Sequence, residues 1–174
     1  MPTQTKSIAT KEQAIVFFLQ QKPLPPRHLQ RLLYLSYAWG LVLLNDELPK
    51  DDTPTVTVFD ATFVGGVLAP LELDVERLLR PFGLSPISYD EYEATRHDTT
   101  DLRHLHADAE AVFNQIWDVY GLYNANQLIS IVREDKAWKN ARDGVKPYIT
   151  SHRALTIHDM YHDYVDHVAV ETTN

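Results

Sequence analysis

Residues 109–142 read AEAVFNQIWDVYGLYNANQLISIVREDKAWKNAR, and this stretch decides the fold that the sequence predicts. Its first half repeats apolar residues at helical spacing. Gly121 then stands where a glycine commonly ends a helix. Asn124, followed three residues later by Gln127, predicts the capped start of a second helix. The stretch therefore predicts consecutive short helices separated by a glycine stop.

The end of the same stretch predicts one more helical turn, which Asp135 is expected to cap and which carries Trp138. Large aromatic side chains dominate protein cores. Trp138 is therefore interpreted first as part of the scaffold, with contact to a partner as the alternative.

The rest of the chain adds further helices and little strand. Apolar periodicity and capping residues predict helices at about 10–21, 26–44, 74–80 and 156–168, and alternation predicts a strand at 55–59. The segment 26–44 is apolar around most of its circumference, which is typical of a central helix. Within it, Ser36 and Gly40 are expected to admit another helix at close range. The predicted fold class is mainly α: a single compact multi-helix domain with a short β strand or hairpin element.

Domain organisation follows from length and local composition. The 174 residues suffice for one domain with a sizeable core. Residues 1–9 are predicted to form a flexible N-terminal arm, and residues 10–170 the helical domain. The stretch 85–104 is poor in apolar residues and rich in Asp, Glu, Thr and Tyr, which predicts a long polar loop or insertion.

Composition and charge argue against several function classes. The chain contains no cysteine, which rules out disulfides, thiolate metal sites and a cysteine nucleophile. Its start shows no signal-peptide pattern, and its longest apolar stretch is too short to span a membrane, so a cytoplasmic protein is expected. The net charge is −8 without a basic stripe, which argues against direct nucleic-acid binding. Such acidity favours a basic protein partner, or it serves solubility alone.

Histidines are the main candidates for chemistry. His158 and His162 lie four residues apart on the last predicted helix, a spacing that can place two imidazoles on one metal ion. His104 and His106, with Asp108 beside them, form a second candidate set, which needs a non-helical backbone to chelate. A His/Asp metal-dependent enzyme is therefore one alternative, although no glutamate occupies the position that the helical zinc-protease motif requires.

Other catalytic patterns are missing from the sequence. It contains no serine-nucleophile motif, and its paired carboxylates lie in polar loops where water surrounds them. The prediction is a non-enzymatic protein without a cofactor or a metal. The oligomeric state stays open, because the apolar stripe of the last helix could pair with a second copy.

Three segments, in order, resemble the Panacea (SocA-like) domain family, which is also known from phage-associated GepA-like proteins. LQRLLYLSYAW at 29–39 is similar to the family's LQKLLYYAQAW, and FDATFVGGVLAP at 59–70 stands where the family carries an acidic-Ala-Trp followed by YGPVVP. VYGLYNANQLISIVREDKAWKNAR at 119–142 is similar to the family's YGxYSAxELSxLTHxExPWxxAR. The resemblance spans about residues 10–164. The chain departs from the family pattern at Thr62, Gly66, Val132, Arg133 and Ala137.

This resemblance implies a protein-binding domain of antitoxin type. Family members neutralise varied toxins encoded beside them, by direct binding or as adaptors that present the toxin to a protease. Others occur in phage genomes, so an alternative is a phage-encoded inhibitor of a bacterial defence system, such as an anti-CRISPR protein. The partner is expected to contact a surface near the acidic loop and the last tryptophan, formed by Asp46, Glu47, Asp51, Asp52, Arg133, Trp138 and Arg142.

Overall fold

The computed structural model describes residues 4–49, 51–96 and 102–172. These ranges are mainly helical with two small two-stranded sheets, which confirms the predicted fold class. No helix within them is long and apolar enough to cross a membrane. The elements, in chain order, are β1 (Lys6–Ala9), α1 (Lys11–Gln21), α2 (Pro26–Leu43), β2 (Val56–Phe59), β3 (Phe63–Val64), β4 (Leu71–Glu72), α3 (Leu73–Leu79), α4 (Tyr89–Ala94), α5 (Ala107–Tyr120), α6 (Ala125–Val132), α7 (Lys136–Ala141) and α8 (Ile157–Thr172), with 3-10 helices at Arg80–Phe82 and Leu102–His104.

Helix α2 is the centre of the fold. It begins with Pro26, whose fixed backbone angle suits the first helical position, and its side chains are buried along most of its length. Helices α1, α5, α6 and α8 and strand β2 pack against it. A Cβ on Gly40 would meet the Val58 Cβ at 3.3 Å, so strand β2 occupies the space predicted for another helix. The predicted helix contact is therefore wrong at Gly40, and the Ser36 hydroxyl donates to the Leu32 carbonyl within α2 itself.

The N-terminal segment pairs with the sheet instead of forming an arm. Strand β1 runs parallel to β2, and the Lys6 amide donates to the Thr55 carbonyl at 2.7 Å. The last two residues of β1 are half buried. The prediction of a flexible arm over 1–9 is therefore wrong for residues 6–9, because backbone pairing holds them. Residues 1–3 lie outside the described ranges.

The stretch 85–104 contains more structure than the polar loop predicted for it. Ser88 and Glu91 form a capping box at the start of α4, with the Glu91 amide 3.1 Å from Ser88 Oγ. Tyr92 is buried in the core. The stretch therefore contains a short helix, α4, which packs on the core through Tyr92 and which its polar composition did not indicate. Residues 97–101 of the predicted loop lie outside the described part of the chain.

Residues 109–142 fold into the three predicted helices, with a difference at the glycine. Asn124 and Gln127 form the predicted capping box of α6. Gly121 ends α5 with a φ of −62°, which is right-handed, and a Cβ there would lie 2.5 Å from the Trp117 carbonyl oxygen. Glycine is therefore needed at this position for space, not for a left-handed turn.

The turn between β3 and β4 is tightly packed. A Cβ on Gly66 would lie 2.4 Å from the Ala69 carbonyl oxygen, and one on Gly65 would lie 2.9 Å from the Arg142 Cγ. A larger residue would need the backbone to move at Gly66 and the Arg142 side chain to move at Gly65. At Gly65 the turn packs against Arg142 and Ser151, which follow α7 in the chain.

Candidate partner-binding site

Trp138, a predicted partner-binding residue, lies in the core. It is 8% exposed, and its Nε1 donates a hydrogen bond to the Gly66 carbonyl at 3.0 Å. The guanidinium groups of Arg133 and Arg142 lie 5.4 and 5.6 Å from its ring, at cation–π distance. Trp138 therefore joins α7 to the β3–β4 turn, and a binding role for it stays a prediction.

Arg142 fastens the loop after α7 to the same turn. Its Nη1 donates to the carbonyl groups of Gly65 at 2.7 Å and Ile149 at 2.9 Å, and its Nη2 donates to that of Lys146 at 2.9 Å. Hydrogen bonds from a charged donor are stronger than those between neutral groups. The donors that a partner would need are engaged within the chain, so the contacts of Arg142 are structural and a partner contact is still only predicted.

The sequence predicted that Asp135 caps α7, but the structure shows no such cap. The Asp135 side chain instead lies buried between two tyrosines. The hydroxyls of Tyr34 and Tyr164 both donate to its Oδ2 at 2.7 Å. Burial, and to a smaller extent the charge of Asp163, raises the pKa of Asp135 to about 7 against the opposing effect of the two hydrogen bonds. Burial also raises the pKa of both tyrosines. This network joins α2 and α8 to the start of α7 and lies too deep to contact a partner.

Asp163 on α8 supplies the missing cap of α7. Its carboxylate accepts the amides of Lys136 at 3.2 Å and Ala137 at 2.9 Å. Two residues earlier on α8, the Tyr161 hydroxyl donates to the Leu48 carbonyl of the acidic loop at 3.3 Å. Side chains two residues apart on a helix point about 200° apart. The acidic loop and α7 therefore lie on opposite flanks of α8, and the predicted partner-binding residues fall into two separate groups.

The structure brings His158 and His162 together, whereas His106 of the second candidate pair serves another contact. The rings of His158 and His162 lie 4.2 Å apart, and His162 Nε2 is sealed from solvent without a hydrogen-bond partner. His106 Nδ1 accepts the Asp108 amide at 3.0 Å and so caps α5, while His104 lies in the preceding 3-10 helix. Among the residues that the structure describes, no three His, Asp or Glu side chains are grouped so that they could hold a metal ion.

The acidic loop after α2 is exposed, and its base is fixed. The Asn45 side-chain amide donates to the carbonyls of Leu41 and Val56, both at 2.9 Å, and its Oδ1 accepts the Val56 amide at 3.2 Å. One side chain thus bridges helix α2 and strand β2 where the loop begins and ends. The four predicted partner-binding carboxylates of this loop are all exposed: Asp46, Glu47, Asp51 and Asp52.

Asp46 also lines a cleft at the edge of the β1–β2 sheet. The cleft has a volume of about 460 Å³ and opens between β1, the end of α2 and the start of α5. The carboxylates of Asp46 and Asp108 line it together with Lys6, and Ile8 and Leu43 contribute apolar surface. Carboxylates therefore outnumber ammonium groups in this cleft. Sequence reasoning named Asp108 only beside a histidine pair and missed its place here.

A second cleft, of about 330 Å³, continues the first along α5. Leu43 and Gln115 line both clefts, so the two are adjacent. The second cleft is mainly apolar, with Trp39 and Val119 among its lining residues, and Val119 is 54% exposed. Trp39 Nε1 donates to the Tyr120 hydroxyl at 3.0 Å, which fixes the wall of this cleft.

Exposed apolar side chains continue beyond the second cleft. Tyr123 places its ring 6.2 Å from that of Tyr120 and is 40% exposed, and Leu122 is 96% exposed. Single exposed apolar residues are common, but a group beside an apolar cleft is typical of an interaction surface. We name the two clefts with these residues the α5 groove. Its acidic end carries Asp46 and Asp108, and its apolar end carries Val119 with Tyr123 beside Tyr120, while Leu122 lies next to Tyr123 in the chain.

Comparisons with protein-family models, curated proteins and solved structures find no match to this chain. The similarity to the Panacea family therefore stays a resemblance carried by three segments. Those segments supply most of α2, strand β3 with the turn that follows it, the last two residues of α5, and helices α6 and α7.

Proposed function

We propose that this chain is a non-enzymatic, antitoxin-like protein-binding domain that neutralises a basic protein partner held in the α5 groove. The observation that carries the proposal is the polarity of the groove, with carboxylates at one end and exposed apolar side chains at the other. Helix α5 has 14 residues and a length of about 21 Å. That length suits an amphipathic partner helix of about four turns, in the manner of helix-in-groove recognition.

The two ends of the groove contribute in different ways. Burying a fully exposed leucine contributes about 1.5–3 kcal/mol, and Leu122 is almost fully exposed. The apolar end therefore supplies affinity. Charges at the rim of an interface, such as Asp46 and Asp108, act mainly on association rate and orientation. The net charge of −8 steers a basic partner toward the whole surface.

The resemblance to the Panacea family supports neutralisation of a toxin encoded beside this chain. Direct binding to the toxin and delivery of the toxin to a protease both need a stable complex, and both are compatible with the groove. The half-life of the partner separates them, because delivery shortens it while direct binding leaves it unchanged or longer.

The test is co-expression with the product of the adjacent open reading frame in a growth assay. The unaltered chain is expected to restore growth and to co-purify with that product. Leu122→Asp with Val119→Asp is expected to abolish both, because charges replace the apolar end. Asp46→Lys with Asp108→Lys is expected to weaken the complex and to slow association.

The matched control reverses two exposed carboxylates that do not line the groove, Asp60→Lys with Asp143→Lys. This variant has the same change in net charge and is expected to rescue growth. A neighbouring product that is neither toxic nor bound contradicts the antitoxin role. Rescue and binding by both groove variants at the level of the unaltered chain contradict the assignment of the groove.

A further inference from the structure

Arg31 is a buried cation for which the residues that the structure describes supply no partner anion. It is 6% exposed, and its Nη1 donates a hydrogen bond to the Pro70 carbonyl at 3.2 Å. Its Nε is sealed from solvent and finds no acceptor in this part of the chain. None of the ion pairs formed by residues that the structure describes involves Arg31. Burying an unpaired charge costs free energy, and a bound anion would reduce that cost.

Gln30 lines a cleft together with Arg31, and the side chains of Gln30 and Glu72 are engaged with other groups. The Gln30 amide exchanges two hydrogen bonds with the Glu72 backbone, at 2.9 and 3.0 Å. The buried Glu72 carboxylate accepts from the Lys11 ammonium at 3.2 Å and from the Val75 amide at 2.8 Å. The chain therefore holds the surroundings of Arg31 in place without neutralising its charge.

Arg31 lines a cleft that contains two more arginines. The cleft has a volume of about 440 Å³, and the exposed side chains of Arg27 and Arg80 line it with Arg31. Glu76 also lines it, but its carboxylate faces Arg80 at 3.8 Å, in an exposed ion pair. Burial and the charge of Arg27 lower the pKa of Arg31 to about 10, as expected for a cation that lacks an anion.

The remaining lining of the cleft is apolar or adds positive potential. Leu71, Leu79 and Leu84 contribute apolar surface, and Leu84 is 88% exposed. Pro26 is the first residue of the 18-residue helix α2, so the positive end of that helix dipole lies at the cleft. In a chain of net charge −8, this cleft is a local concentration of positive charge beside an apolar wall.

We propose that this cleft binds a small organic anion, namely a carboxylate or a phosphate monoester carried on a short apolar body. A planar guanidinium matches the geometry of both anionic groups and can bind either through two parallel hydrogen bonds. The volume falls within the range of about 300–1,000 Å³ that is usual for small-molecule sites. No residue of this cleft lines the α5 groove, so the anion site is independent of the proposed partner binding.

Calorimetric titration and thermal unfolding of the full chain test this inference with four probes of equal chain length: hexanoate, hexyl phosphate, hexanol and hexylamine. At least one of the two anions is expected to bind one site per chain and to raise the unfolding temperature. The stronger of the two identifies the preferred anionic group. Hexanol and hexylamine are expected to bind at least about tenfold more weakly, because charge-assisted hydrogen bonds are lost.

Substitutions then locate the site. Arg31→Met is expected to weaken anion binding about 10- to 100-fold, while the stability without ligand stays equal or rises, because an uncompensated buried charge is removed. Arg27→Gln and Arg80→Gln alter exposed side chains and keep the test valid if Arg31→Met fails to fold. Each is expected to weaken binding about threefold or more. Arg77→Gln, an exposed arginine on α3 outside the cleft, is the control and is expected to change nothing.

Three results would overturn the inference. One is the absence of saturable binding of either anion at millimolar concentration. Another is unchanged anion affinity in all three cleft variants, which would place the binding elsewhere. Equal binding of the anions and hexanol would also contradict it, since apolar contact alone would then account for the affinity.

Discussion

Replacing Asp135 with asparagine should remove a pH dependence that the buried carboxyl group imposes on stability. Asp135 is 4% exposed, and its pKa rises from 3.8 to about 7 on folding. At about 1.4 kcal/mol per pKa unit, this rise corresponds to about 4 kcal/mol between the two protonation states. Asparagine has nearly the same shape and keeps an oxygen that can accept from Tyr34 and Tyr164.

The sign follows from proton binding. Between pH 4 and pH 7 the native state keeps the proton on Asp135 while the unfolded state has lost it. Native protein therefore binds more protons than unfolded protein, and the stability contributed by the protonated carboxyl is lost as pH rises through this window. His28 acts in the opposite direction, because burial lowers its pKa to about 4 and its contribution is lost as pH falls below 6.5. The His28 contribution is the same in both proteins and cancels in their difference.

The assay is urea unfolding followed by tryptophan fluorescence at pH 4 and pH 8, for the unaltered chain and for Asp135→Asn. From pH 4 to pH 8, the free energy of unfolding of the variant should rise by about 4 kcal/mol relative to that of the unaltered chain. Any packing cost of the amide is independent of pH and does not enter this difference. Asp143→Asn, at an exposed carboxylate, is the control and should track the unaltered chain. An equal stability difference at both pH values for Asp135→Asn would refute the reasoning.

Three further substitutions test the packing of the scaffold. Arg142→Ala should lower the free energy of unfolding, measured in urea, by about 3 kcal/mol, because several carbonyls lose a charged donor. Lys139→Ala, at an exposed ion pair, is the control and should lower it by less than about 0.5 kcal/mol. Gly121→Ala should cost about 1–3 kcal/mol by thermal unfolding, because its Cβ would meet the Trp117 carbonyl; an unchanged unfolding temperature would contradict that clash. Ser88→Ala should cost about 1 kcal/mol and speed amide exchange in α4, and equal exchange would show that the cap contributes nothing.

Local patterns in the sequence predicted the helices well because caps and apolar periodicity act over a few residues. Asn124 and Gln127 lie three apart and satisfy each other in the structure as predicted. The pairing of β1 with β2 was missed, because it joins Lys6 to Val56 and depends on contacts that no local pattern encodes. Ser88 and Glu91 form a box of the same kind inside a stretch that was interpreted as a polar loop.

The candidate sites were less predictable, since they depend on which side chains the fold leaves uncovered. Asp135 has the sequence position of a helix cap, yet the fold buries it under two tyrosines and lets Asp163 cap α7 from another helix. The exposure of Leu122 follows from where the chain runs after Gly121, which sequence alone does not specify. In the sequence Arg31 resembles any polar residue of a helix, and only the structure shows that it is buried with an Nε that finds no acceptor among the described residues.

The most direct test of the central claim is a hydrogen-exchange footprint of the complex with the product of the adjacent open reading frame. The account predicts slower exchange along α5 and in residues 43–48 when the partner is bound. Variants that carry a photoreactive group in place of Leu122 or Asp46 should form crosslinks to the partner. Exchange in α3 and α4 should stay unchanged. Protection confined to α7 and the loop that follows it, with α5 unaffected, would contradict the account.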